Sequence, residues 1–129
     1  MSVAKLISFI DRHTKNGTIF PGEPWGEGIG IEEEGINLVA SLRANDWLFL
    51  YEELTKKSNC WIECLIQLLD ELRTRQARQM IIHIALNGTK KNFFDAMECI
   101  RDFRRDVDIY TWLKLKNRST ELLNNKLNL

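Results

Sequence analysis

Cys60 and Cys64 stand four residues apart, a spacing that puts two thiols on one face of a helix, where they could grip a cation together. Tetrahedral zinc needs two more ligands, and the other candidates, His13, His83 and Cys99, occur singly with no second paired motif. No metal and no other cofactor is expected. The three cysteines, an odd number, read as reduced thiols sealing helix interfaces. Neither histidine has a nucleophile beside it, and acid–base catalysis would require partners that the sequence does not identify. Gly26-Glu27-Gly28-Ile29-Gly30 contains a Gly-x-Gly pair, but no strand precedes it, no P-loop lysine follows, and the glutamates around it repel phosphate. With no catalytic set in view, the chain reads as non-enzymatic.

Charge carries more information. Acids and bases balance at 18 each, yet residues 17–71 hold eleven acids against Arg43, Lys56 and Lys57, a net −8. Residues 72–129 reverse this, with twelve bases against six acids, a net +6. The chain is a charge dipole along its sequence. In the basic part, Arg73, Arg75 and Arg78, then Arg101, Arg104 and Arg105, then Lys114, Lys116 and Arg118 are interleaved with Phe103, Tyr110 and Trp112. Cations mixed with aromatic rings can hold a single-stranded nucleic acid by phosphate contact and stacking.

These residues must be positioned by helices. At 129 residues the chain fits one domain that buries roughly 65–70% of its unfolded surface. Its apolar runs reach only four or five residues, well short of the ~20 that span a bilayer. Val3, Leu6, Ile7 and Ile10 predict a first helix stopped by Asn16-Gly17, in a segment lacking a signal-peptide cleavage site. Ile36, Leu38, Val39 and Leu42 predict a short helix, and Asn45 or Asp46 caps the next, with Trp47, Leu50, Tyr51 and Leu54 on one face. From Asn59, the apolar positions Trp61 to Leu72 cover an arc of roughly 160°, wide enough for a central helix. Further helices follow from Arg75 to Leu86, stopped by Asn87-Gly88, and from a cap at Thr89 or Asn92 through Phe103. Segment 107–116 alternates as a strand would, but the only candidate strand to pair with it is the short Thr18–Phe20 run. A helix capped by Asp106 is favoured there, then a short one from Ser119 to Leu123, with residues 124–129 frayed. The fold class is all-α: antiparallel helical hairpins in a HEAT-like bundle or short solenoid.

One segment breaks the pattern. Residues 17–35 collect both prolines, six of the seven glycines, Glu23, Trp25, Glu27 and the run Glu32-Glu33-Glu34. Its isoleucines and Trp25 make it too apolar for disorder, so an ordered acidic loop is predicted. Trp25 is either a plug on the core or an anchor for a partner.

The Trp47-Leu48-Phe49-Leu50-Tyr51-Glu52-Glu53-Leu54 and Trp61-to-Leu72 segments resemble those of small all-helical immunity proteins of bacterial toxin–immunity systems, such as contact-dependent growth inhibition. The resemblance covers roughly residues 46–104 and leaves the Gly/Pro loop unmatched. It implies a cytoplasmic protein that binds a cognate toxin domain, often a nuclease, and blocks its active site. A nuclease cleft is cationic, so the expected partner-binding residues are the acids Glu23, Glu27, Glu32, Glu33, Glu34, Asp46, Glu52, Glu53, Glu63 and Asp70, with Trp25 as anchor. The alternative is a nucleic-acid-binding module that uses the basic C-terminal half.

Overall fold

The computed structural model describes residues 2–14 and 31–127. Seven α-helices fill them: α1 (Ser2–His13), α2 (Ile31–Ala40), α3 (Ala44–Glu53), α4 (Asn59–Leu72), α5 (Arg75–Asn87), α6 (Lys90–Asp102) and α7 (Ile109–Leu127). Single 3₁₀ turns lie at Leu54–Lys56 and Arg104–Asp106, and no strand occurs among the described residues.

Hydroxyl caps set the starts of the three inner helices. Ser58, Thr74 and Thr89 each accept a hydrogen bond from the backbone N–H three residues on, those of Trp61, Ala77 and Asn92. Each supplies one of the acceptors that a helix N-terminus lacks. Between α4 and α5 the chain turns in two residues, which requires Arg73 to adopt a left-handed φ of 59°.

Four helices surround α4: α1, α2, α5 and α6 all pack on it. This accounts for its wide apolar arc, in which Trp61, Ile62, Cys64, Leu65, Ile66, Leu68 and Leu69 are all buried. A single core runs from Val3 and Phe9 in α1 to Leu115 and Leu122 in α7. α2, α4 and α6 pack in series, while α1 packs on α3, and α7 on α5.

Positions 31–35 of the segment predicted as a loop are helical instead. Ile31–Ala40 is helix, so Glu32, Glu33 and Glu34 form its first turn, where carboxylates oppose the positive end of the helix dipole. Gly35 sits inside this helix because α2 crosses α1 and α4 closely. A Cβ there would lie 2.8 Å from both Leu68 Cδ2 and Phe9 Cε2, two fully buried side chains with no room to retreat. Gly35→Ala is therefore expected to destabilise the fold by about 1–3 kcal/mol in urea unfolding, the range for an overpacked core. A neutral or stabilising result would place α2 elsewhere. Glu23, Trp25 and Glu27, and with them the plug-or-anchor question, lie outside the described residues.

Two other boundaries differ from expectation. α3 starts from Arg43, not from Asn45 or Asp46: the Asp46 carboxylate accepts the Arg43 N–H at 3.0 Å from within the first turn. In place of two short C-terminal helices there is one, α7, and positions 124–127, expected to fray, belong to it. Its cap is Asp108, whose carboxylate accepts the Thr111 N–H at 2.8 Å and the Thr111 hydroxyl at 2.9 Å. Those two bonds hold the Asp108 carboxyl below its ordinary pKa. Asp106, the expected cap, pairs with Arg78 at 2.8 Å. At the end of α5, Gly88 lies so close to the Ile84 carbonyl that a Cβ would come within 2.6 Å of it. The Gly88 carbonyl accepts from Arg118 Nη2 at 2.8 Å, latching α7 to that end.

Candidate functional site

Helices α4 and α6 run in the same direction, and a groove forms along their seam. At the N-terminal ends, Asn92 is fully buried and its Nδ2 donates to the Asn59 carbonyl at 3.2 Å. The Thr89 hydroxyl donates to Asn59 Oδ1 at 2.9 Å. At the C-terminal ends, the Cys99 thiol meets Asp70. Between these ties lies a groove of about 400 Å³, lined by Glu63, Gln67 and Asp70 from α4 and by Asp95, Glu98 and Asp102 from α6.

Five carboxylates therefore face one channel. Lys91 offsets two of them at one end, with Nζ 3.1 Å from Glu63 and 3.3 Å from Asp95. Burial alone would lower the Lys91 pKa, but its bonds to Glu63 and Asp95 outweigh that and raise it, so the ammonium is fully charged at neutral pH. Asp70, Glu98 and Asp102 form no ion pair among the described residues. The remaining field is negative, and a cleft concentrates it.

The sequence-predicted site residues separate into groups. Glu63 and Asp70 come together in the groove. Glu33 and Glu34 are exposed and Glu32 half-buried on the first turn of α2. Glu52 is exposed on α3, beside the exposed Leu48 and Phe49, and Glu53 pairs with Lys56 at 3.3 Å. Asp46 is a correction: it is buried and committed to the start of α3, so it presents no charge to a partner. Asp95, Glu98 and Asp102 were missed. Their spacing of three and then four residues was legible, but they sit in the half of the chain whose summed charge is positive.

The thiols and histidines are built into the packing. Burial comes first, then Cys60, Glu63 and a hydrogen bond to Cys60, in pushing the Cys64 thiol up to about 12. Cys99 is likewise pushed up to about 12 by burial and then by the Asp70 carboxylate beside it. Burial thus keeps both thiols protonated at pH 8, which removes the reactive form. Both should resist a disulfide reagent in the native protein over a time in which all three cysteines react in denaturant. Prompt native labelling of Cys64 or Cys99 would contradict this packing. His13 Nδ1 lies 2.8 Å from the Phe9 carbonyl near the end of α1. His83 meets Tyr51 edge to face at 4.7 Å, and burial lowers its pKa, keeping the ring neutral. Among the described residues, no group of three or more His, Cys, Asp or Glu is placed to hold a metal ion. None of the described helices is long and apolar enough to cross a membrane.

Next to the groove's C-terminal end, where Arg73, Arg78 and Phe103 line a small cavity with Asp70 and Asp102, the basic residues are partly spent on structure. Arg78 lies over the Phe103 ring at 4.9 Å as well as pairing with Asp106, and Arg104 lies over the Trp112 ring at 4.4 Å. Arg101 and Arg105 are exposed. Comparison with protein-family models, curated proteins and solved structures returns no match for this chain.

Proposed function

We propose that this chain is a non-enzymatic binding protein that acts in the cytoplasm as an immunity protein, neutralising a cognate basic toxin domain of nuclease type. It covers the toxin's active site with an acidic surface. The observation that carries this reading is the α4–α6 groove, where Asp70, Glu98 and Asp102 converge with no ion pair among the described residues, Arg73 and Arg78 reaching only the small cavity at its Asp70–Asp102 end. Such a channel matches lysine and arginine side chains arranged to hold phosphate, and it excludes nucleic acid from the toxin by occupying the same cations. The alternating packing of α2, α4 and α6 supports a short HEAT-like array as the scaffold.

The test is co-expression with the C-terminal domain encoded by the gene immediately upstream. A stable complex, and rescue of growth when that domain is toxic, support the reading. Free nuclease activity in the presence of excess protein refutes it.

A second reading, a nucleic-acid-binding helical module, rests on Arg104 stacked over Trp112 beside the exposed Arg105 and Tyr110. It calls for a salt-sensitive association with single-stranded oligonucleotide that weakens when Arg104 and Arg105 are reversed.

A further inference from the structure

Between α5 and the turn that joins α6 to α7 lies a cavity of about 570 Å³, larger than the acidic groove and within the size range of small-ligand sites. Arg75, Arg78 and Ile82, spaced three and four apart on one face of α5, form one wall, and Asp106, Val107 and Asp108 lie opposite. Two arginines thus meet two aspartates, but they are not equally committed. The Asp106 carboxylate accepts from Arg78 Nη1 at 2.8 Å. Both oxygens of Asp108 are taken by the N–H and hydroxyl of Thr111, at the start of α7, where the helix dipole offsets the charge. Arg75 is exposed and forms no ion pair or hydrogen bond among the described residues. It is the uncompensated cation of the wall. The Arg78 guanidinium is held in place by Asp106 and by the Phe103 ring, 4.9 Å away, yet its Nε is enclosed without an acceptor. The edge formed by Nε and Nη2, the pair of donors that takes a carboxylate side on, is therefore unfilled.

We propose that this cavity binds an apolar monocarboxylate, with the carboxylate between Arg75 and Arg78 and the body of the molecule against Ile82 and Val107. One negative charge matches the one cation left over. A phosphate dianion would bring surplus negative charge towards Asp106 and Asp108, so the wall selects against it. Ile82 and Val107 are half-buried, and covering the rest of their surface adds apolar burial to the charge pairing. The carboxylate belongs either to a free organic acid or to the C-terminal residue of a peptide, since both present the same group to the two arginines. The site uses none of the five groove carboxylates, so it stands whether or not that groove binds a toxin.

Titration of the full chain with phenylacetate, its neutral amide phenylacetamide and inorganic phosphate, followed through backbone amide shifts in nuclear magnetic resonance, tests this. Phenylacetate should saturate with a Kd of about 1 mM, within reach of a ligand of its size, and move the signals of Arg78, Ile82 and Val107. Phenylacetamide, of the same shape but without the charge, should bind about tenfold more weakly, and phosphate should also bind more weakly than phenylacetate. Arg75→Gln changes an exposed side chain with no internal partner, so the fold should be kept. It should weaken phenylacetate by about tenfold and leave phenylacetamide unchanged, while Arg75→Lys recovers part of the loss. A tetrapeptide ending in a free phenylalanine, set against the same peptide amidated, separates the two sources. Tighter binding than phenylacetate assigns the carboxylate to a chain end, and weaker binding assigns it to a free acid. The absence of saturable shifts with phenylacetate, or shifts centred away from the cavity, overturns the proposal. Equal affinity for phenylacetamide, or wild-type affinity in Arg75→Gln, overturns it as well.

Discussion

Trp61→Ala is expected to lower the free energy of unfolding by about 3–5 kcal/mol, the range for deleting a buried aromatic ring from a packed core. Of the total stability of a small domain, about 5–15 kcal/mol, that is a large share. The indole joins two elements fifty residues apart. Its body is buried in α4 at 3% exposure, while Nε1 donates to Asp11 Oδ1 in α1 at 2.9 Å. Lys57 closes the arrangement, with its ammonium 5.1 Å from the ring and 3.8 Å from the same Asp11 oxygen. Trp61→Phe separates packing from polarity. It keeps most of the buried ring and loses the N–H, and since Asp11 is half exposed it can turn to water. A cost of about 0.5–1.5 kcal/mol is expected, that of one hydrogen bond. Asp11→Asn keeps an acceptor and should cost less still, because the ion pair with Lys57 is near the surface. Urea unfolding followed by circular dichroism measures all three. A Trp61→Ala penalty below that of Trp61→Phe would mean that α1 is not docked on α4 through this residue.

The scaffold was largely legible because helices report themselves through local periodicity. The arc from Trp61 to Leu72, the hydroxyl at Thr89 and the Asn87-Gly88 stop each act within a turn or two of the chain, which is the range that pattern reading covers. Boundaries slipped where two residues competed for one role. Asp46 and Asp108 are both carboxylates near a helix start, yet one accepts backward to Arg43 and the other forward to Thr111, and only three-dimensional placement separates those uses. Gly35 shows the same limit. Among five other glycines it read as loop, although its role is to let α2 approach Phe9 and Leu68.

The groove was less legible, for a different reason. Charge summed along the chain assigns α6 to the basic half, but a helix distributes its charges around its axis. Lys90 and Arg101 belong to that segment as much as Asp95, Glu98 and Asp102, and the three acids turn together toward α4. The sequence dipole is thus not the surface dipole. An acidic stripe from the basic half completes the one begun by Glu63 and Asp70.

Reversing Glu98 and Asp102 to lysine should therefore disable partner association more than reversing any two acids of the segment 17–71 that lie outside the groove. These two carboxylates are exposed and form no ion pair among the described residues, so folding should be kept, since charges of this kind contribute little to stability. Association with the upstream-encoded domain should slow by about ten- to a hundredfold at low salt, the span over which complementary charge accelerates encounter. Its rate should also lose most of its dependence on ionic strength, because three carboxylates then face three lysines and the steering field at the groove is cancelled. Lys91→Ala acts in the opposite sense. It removes the internal cation that neutralises Glu63 and Asp95, enlarges the negative field, and should speed association while steepening its salt dependence. Stopped-flow association across a salt series reads both variants on one axis. If the Glu98/Asp102 reversal leaves the rate and its salt slope unchanged while reversal of Arg104 and Arg105 abolishes binding, the acidic groove is not the docking surface. The basic face around Trp112 then carries the contact, because a partner steered by that face must be anionic and its encounter rate follows the sign of the side chains that it meets first.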